Sequence, residues 1–417
     1  MNNIKSKLSI ATCTLLGGTV QQANAIENSW DLDSSFLYYG EADDRVVVKK
    51  AMAFLTGDIS AEDTVNVNLV LDTMSGATPT GAVRSKNSSV SFSSASGAGS
   101  STVDGASVDR VHFSDTRLGI ALSWAHSQDR LTTLTYGGSL SVEKDYQSYG
   151  ASINYSLDSE DRLTTYTVGF AGSYDEIYRK TDGTPEPLSR VEDASIFSNG
   201  ERYAYDFILG VSKVLNRKTI AQLNYTVSYS DGYHTDPYKV ISEVNLVQDT
   251  DSGEFAWAEL DRYYEARPDT RLRHAIFTSM AHQYGESGET VHASYRFYTD
   301  DWGISSNTID LTHRTPLSAN SYIEPHFRYY SSSAADFFVH SFNNIDVSTP
   351  IELPQYASAD YRLDQSIGLT TGIEYGKQMY GGSFRTRLEY INWQYEEAEY
   401  DETKALVLQF SFQKLFD

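Results

Sequence analysis

The sequence predicts an all-β, antiparallel, transmembrane outer-membrane β-barrel of about sixteen strands. Three observations carry this. Apolar residues recur at every second position along most of the chain, the alternating segments match the length of a tilted membrane-crossing strand, and the connections sort by length according to strand parity.

The first 25 residues hold Lys5 and Lys7, an apolar stretch from Leu8 to Val20, and Ala23-Asn24-Ala25. Together these read as a secretory signal peptide cleaved after Ala25, leaving a barrel domain over 26–417. The stretch is too short to span a bilayer as a helix, and no later run of about 18 apolar residues exists. Cys13, the single cysteine, lies in this leader, where a lipoprotein reading is the alternative. The mature chain would then have no thiol for a disulfide, a metal site or a nucleophile. Removing Lys5 and Lys7 takes the formal charge from −23 to −25, which argues against nucleic-acid binding. Thirty tyrosines and eighteen phenylalanines suit sheets with one apolar and one wet face.

Sixteen alternating segments follow in order, near 34–40, 45–57, 64–72, 111–125, 131–142, 147–157, 162–174, 202–215, 219–230, 271–284, 290–299, 304–314, 321–331, 361–377, 382–394 and 404–414. In RLGIALSWA, Leu118, Ile120, Leu122 and Trp124 alternate with Arg117, Gly119, Ala121 and Ser123. The same split recurs in ETVHASYRFY and in DQSIGLTTGIEY. Connections after even strands are short (GDISAED, SQDR, DSED, NRK, GESGE, TPLSAN, KQMYGG). The long ones, near 73–110, 175–201, 231–270 and 332–360, all follow odd strands. Tight turns on one rim and long loops on the other are the layout of an outer-membrane barrel; a secreted sandwich or solenoid would not sort them this way. The last strand alternates Leu406, Leu408, Phe410 and Phe412 toward Leu415-Phe416-Asp417, with its aromatic one place before the usual final position. Outer-membrane lipid and the barrel-insertion machinery are therefore the expected partners.

If the apolar positions face lipid, the lumen receives Arg296, Arg314, Arg328, Arg385 and Arg387 with Asp310, Glu324, Glu374 and Glu389, plus His292 and His326. Such a set either pairs across strands or lines an aqueous path. The nine histidines have no ligand spacing on a common element. DTDSGE, Asp249 to Glu254, departs from a calcium loop and reads as a solvated loop. EEAEYDET, Glu396 to Thr403, reads as an acidic tip, and Ser89 to Ser107 as a low-complexity loop. No nucleophile, base and acid can be grouped from sequence alone, so nothing argues for an enzyme.

FLYYGEADDRVVV, near Phe36 to Val48, followed by LDTMSGATPTGA, Leu71 to Ala82, resembles the bacterial domain-of-unknown-function family numbered 3570. That resemblance implies an outer-membrane barrel without an established activity, encoded beside a small lipoprotein and a transferase that attaches FMN to proteins. Asp72-Thr73-Met74-Ser75-Gly76-Ala77-Thr78 is similar to that transferase's acceptor motif, with Thr73 where Gly is usual and Pro79 directly after. The similarity implies covalent FMN on the Thr78 hydroxyl, with Asp72, Ser75, Gly76 and Ala77 around it. The competing expectation is a turn in which Gly76 and Gly81 supply backbone angles and Pro79 rigidity. Three functions stay open: a transport or structural barrel of a flavin-linked redox system, a porin-like channel for small polar solutes, and a surface adhesin or receptor using the long loops.

Overall fold

The computed structural model describes residues 29–42, 45–82, 90–93, 100–103, 110–179, 183–248, 255–346, 348–398 and 401–416. Its main body is a closed antiparallel barrel of sixteen strands. In chain order these are β1 (Trp30–Glu41), β2 (Val46–Asp58), β3 (Asp63–Pro79), β4 (Arg110–Ser127), β5 (Thr132–Val142), β6 (Tyr146–Asp158), β7 (Thr164–Ile177) and β8 (Gly200–Asn216). The second half comprises β9 (Thr219–Gly232), β10 (Thr270–Tyr284), β11 (Glu289–Asp300), β12 (Ser305–Ser318), β13 (Ser321–Ser332), β14 (Ser366–Met379), β15 (Gly382–Tyr395) and β16 (Glu402–Phe416). Each strand pairs with its sequence neighbours, and β1 pairs with β16 from Trp30 opposite Phe416 to Glu41 opposite Ala405. Closure leaves no unpaired edge, which a bilayer requires.

Alternation decides which side each residue takes. Outward-facing Leu122, Phe170, Leu223 and Leu406 are 53%, 49%, 50% and 47% exposed, and similar side chains circle the barrel. An apolar surface of that extent is unstable in water and matches a lipid-facing band. The inner face is polar: Thr56 donates to Asn66 Oδ1 at 2.9 Å, and Asn66 Nδ2 donates to Ser123 Oγ at 3.2 Å. Several short turns are held by local carboxylate acceptors. In SQDR, Asp129 accepts from the backbone of Leu131 and Thr132 at 2.8 and 2.9 Å.

Three expectations are corrected. The LDTMSGATP segment is strand, not loop: β3 continues to Pro79, pairing with β2 as far as Gly76 and with β4 throughout. Small polar residues look like a turn in sequence, yet β4 pairs with the segment along its whole length and β2 as far as Gly76. β14 starts at Ser366, because Tyr361–Leu363 form a turn of 3-10 helix. The long connections are also far from simple loops, since they build a second body. DTDSGE, the signal segment and most of Ser89 to Ser107 lie outside the described residues.

Gly76 sits at φ +141°, and a Cβ there would lie 1.8 Å from the Arg45 carbonyl oxygen. Gly76→Ala is therefore expected to cost about 1–3 kcal/mol through backbone strain. A lower temperature for loss of the compact, heat-modifiable band on gels would register this. An unchanged midpoint would mean the β2–β3 edge relaxes freely.

Candidate functional site: a lumen beneath a loop cap

All eight connections of the long-loop rim contribute to one folded cap. Its centre is a sheet of Val240–Gln248, Phe255–Tyr264 and Phe342–Asn343. Its apolar core holds Ile241, Ala357 and Ala359, with Ala82, Val240 and Tyr264 in a second cluster and Trp302, Ile304, Ala335, Phe337 and Leu363 in a third. Among the described residues the largest fully buried apolar side chains, Ile241, Val240 and Val244, belong to the cap and not to the barrel wall. The cap is a small globular core built on the rim of a cylinder.

Its attachments span the opening. The connection at 233–269 reaches that at 80–109 through Val240 N donating to Thr80 O at 3.0 Å. It reaches 143–145 through Tyr238 donating to Asp145 at 2.7 Å, and 178–199 through Val191 N donating to Arg262 O at 2.8 Å. Asp336 N donates to Trp302 O at 2.9 Å, bringing in 301–304, and Glu397 N donates to Asp364 at 2.8 Å, bringing in 396–401. Arg45, between β1 and β2, and Lys239, between β9 and β10, lie 5.7 and 5.4 Å from the ring centre of Tyr361. Those two connections are eight strands apart in a ring of sixteen, so they leave from opposite sides. A barrel of this strand number is roughly 30 Å across. Segments from opposite sides that meet at one tyrosine must cross the mouth.

A buried ion network locks the crossing. Arg267 bridges Glu265 at 2.6 Å and Asp360 at 2.9 Å; Asp360 also accepts from Arg362 Nε at 2.8 Å and has Lys239 Nζ at 3.8 Å. Glu265 and Asp360 are fully buried, and Ser358 donates to Glu265. Paired and hydrogen-bonded charges of this kind fix one arrangement, because removing any partner strands the rest. Nothing in periodicity marks these residues. The available signal was the alternation in KVISEVNLV and FAWAELDRYY, inside what reads as a single long loop.

The contact at Asp145 is pH-sensitive. Burial pushes its carboxyl up to about 6, against the lowering effect of the Tyr238 hydrogen bond. Burial and the neighbouring Asp115 likewise push Glu143 up to about 7. A raised carboxyl favours the folded state when protonated. Its contribution is complete below the ordinary value of 3.8 and is lost as pH rises through about 6. Amide protection of residues 238–242, corrected for intrinsic exchange, is thus expected to increase from pH 7 to pH 5. Asp145→Asn should flatten that rise, and a rise of equal size in the variant would contradict the assignment.

Below the cap, the inward charges form ladders on β11 to β15. Arg314 pairs with Glu324 at 2.6 Å and stacks over Tyr322 at 3.9 Å; Arg387 pairs with Glu374 at 3.0 Å. His326 places Nδ1 2.7 Å from Glu389 and Nε2 2.9 Å from Asp310, and Arg385 reaches Asp33 on β1 at 2.6 Å. Arg296 lies over the Tyr298 ring at 5.9 Å, and His292 shares that inward face of β11. Most of the expected lumen set is thus brought together as cross-strand pairs.

The Asp72–Thr78 segment is engaged in wall structure. Asp72 accepts from Arg117 at 2.6 Å, Ser75 is exposed, and Gly76 packs on the Arg45 backbone. Ala77 and Thr78 pair through their backbones with His112 and Val111; their side chains lie outside the described residues. An acceptor for FMN needs a pliable segment that a transferase can enter, and a strand paired in the barrel does not fit that need.

Closed antiparallel topology, an apolar outer belt and a charged lumen define an outer-membrane β-barrel protein. The chain belongs to the family described as "Protein of unknown function (DUF3570)", whose model matches residues 5–412. No curated protein matches it. Solved structures with a similar fold include the ferric enterobactin receptor of Pseudomonas aeruginosa, at 6% identity and a TM-score of 0.42, covering 90% of this chain and 54% of that one. CdiB from Acinetobacter baumannii is similar at 7% identity and a TM-score of 0.45, covering 93% and 60%. A bacterial polysaccharide outer-membrane secretin is similar at 8% identity and a TM-score of 0.43, covering 94% and 100%. The chain spans little more than half the length of the first two.

Proposed function

We propose that this protein is a solute passage of the Gram-negative outer membrane, held shut at its long-loop mouth by the cap. The observation that carries the reading is the meeting of Arg45 and Lys239, from opposite sides of the ring, on Tyr361. A general diffusion porin needs an open mouth, and an adhesin needs loops free to grip a partner. Here the loops grip one another. A polar, charged inner wall is what a water-filled route requires once the cap moves.

The test is liposome swelling in isosmotic sugar. Vesicles with the intact protein should swell slowly, and vesicles with Pro237–Tyr264 replaced by a short Gly-Ser linker should swell fast. Equal, negligible swelling by both, with both running as folded barrels on gels, would sink the reading. A flavin transferase, if it acts on this chain, would have to do so before β3 pairs with β4. The intact mass of the mature protein and of Thr78→Ala reports on that step separately.

A further inference from the structure

On the inner wall of β11 to β15 most charges are paired, and two arginines are not. Every inward carboxylate of β11 to β15 is engaged: Asp300 by Arg271, Asp310 and Glu389 by His326, Glu324 by Arg314, and Glu374 by Arg387. Two arginines of the same wall have no such partner. Among the described residues Arg296 makes no ion pair or hydrogen bond and only overlies Tyr298, while Arg328 makes neither and has Asp310, held by His326, opposite it on β12. Both are exposed although they stand on inward positions. Their heads therefore project into the lumen.

Eight strands away from Arg296 is β3, whose inward Asp72 is already paired with Arg117, and eight strands away from Arg328 is β5. β5, and β6 and β7 next to it, carry no charged residue over 132–142, 146–157 and 164–174. Their inward positions are hydroxyls, amides and glycines such as Thr135, Ser139, Ser152, Asn154 and Thr167. Register places the two arginines close enough to serve one solute. Arg296 is opposite Thr308 on β12, and Arg328 is opposite Asp310, two residues further along that same strand. A free guanidinium offers paired N–H donors with the geometry of a planar oxyanion, and a neutral hydroxyl wall can complete its hydration shell.

We propose that Arg296 and Arg328 form an anion-binding station in the lumen, selecting small solutes that carry carboxylate or phosphate groups. This rests on the passage reading and specifies its substrate class. The acidic excess of the whole chain, −23, points the other way, so net charge is a poor guide to the pore. Selectivity follows the groups left unpaired along the path.

The experiment uses the variant with Pro237–Tyr264 replaced by a linker, in planar bilayers under a tenfold KCl gradient. Its reversal potential should report chloride passing several-fold more readily than potassium. Adding Arg296→Gln and Arg328→Gln should remove most of that preference while current persists. Millimolar phosphate or succinate should reduce the chloride current only when the arginines are present, and which of the two acts more strongly names the preferred head group. Cation preference, or an anion preference that survives the double substitution, overturns the station. Absence of any current overturns the passage reading instead, so the two failures are distinguishable. Heat-modifiable mobility on gels shows that each variant is a folded barrel.

Discussion

Asp360→Ala is expected to unseat the cap and leave the barrel intact. Asp360 is fully buried where the connections at 233–269 and 333–365 meet, and Arg267, Arg362 and Lys239 converge on it. Burial opposes its ionisation, but the coulombic pull of Arg362, Lys239 and Arg267 prevails and holds its carboxyl well below the usual range. Removing the carboxylate takes one ion-pair partner from each of Lys239, Arg267 and Arg362, while Arg267 keeps Glu265 and Arg362 keeps Asp236. Breaking a buried pair in this way costs about 3–5 kcal/mol. Asp360→Asn keeps the shape without the charge and should have an intermediate effect. Brief trypsin treatment would then cut after Lys239 or Arg267 in the variants and spare the wild type. Equal resistance in all three would mean that the apolar clusters hold the cap alone.

Leu122→Arg is expected to destabilise the barrel in lipid by more than about 1 kcal/mol, rising toward about 4 with depth, the cost of a cation on the lipid face. Leu122 is 53% exposed on the outer face of β4, with Ile120 and Trp124 on the same side. Ser139→Arg, on the inner face of β5, is the matched control and should change little, because the lumen accepts charge. Urea titration of vesicle-inserted protein measures both. If Leu122→Arg were as mild as a typical exposed substitution, within about 0.5 kcal/mol, the outer face would be meeting water and not lipid.

The barrel was legible because its information is local. In β4, Leu118, Ile120, Leu122 and Trp124 declare their face without reference to any other segment, and the same holds for each of the sixteen strands. Hairpin partners follow from turn length, which is why KQMYGG sets Glu374 opposite Arg387. The Asp33–Arg385 pair was not legible, since it depends on β1 closing against β16, which then places Asp33 beside β15. The cap was not legible for the same reason on a larger scale. Thr80 meets Val240, and Ala266 meets Ala357, across separations that no period or spacing encodes. Residues 72–79 misled in another way. Ser75, Gly76 and Ala77 have the composition of a turn, but edges supplied by β2 and β4 turn them into strand, and Gly76 takes the one angle a side chain would block.

Single-channel recording of the intact protein beside the Pro237–Tyr264 linker variant tests the capped passage most directly. The intact barrel should stay near baseline, with rare openings, and the variant should conduct in steady, large steps. Intact protein that conducts as freely as the variant would show that the cap does not close the mouth.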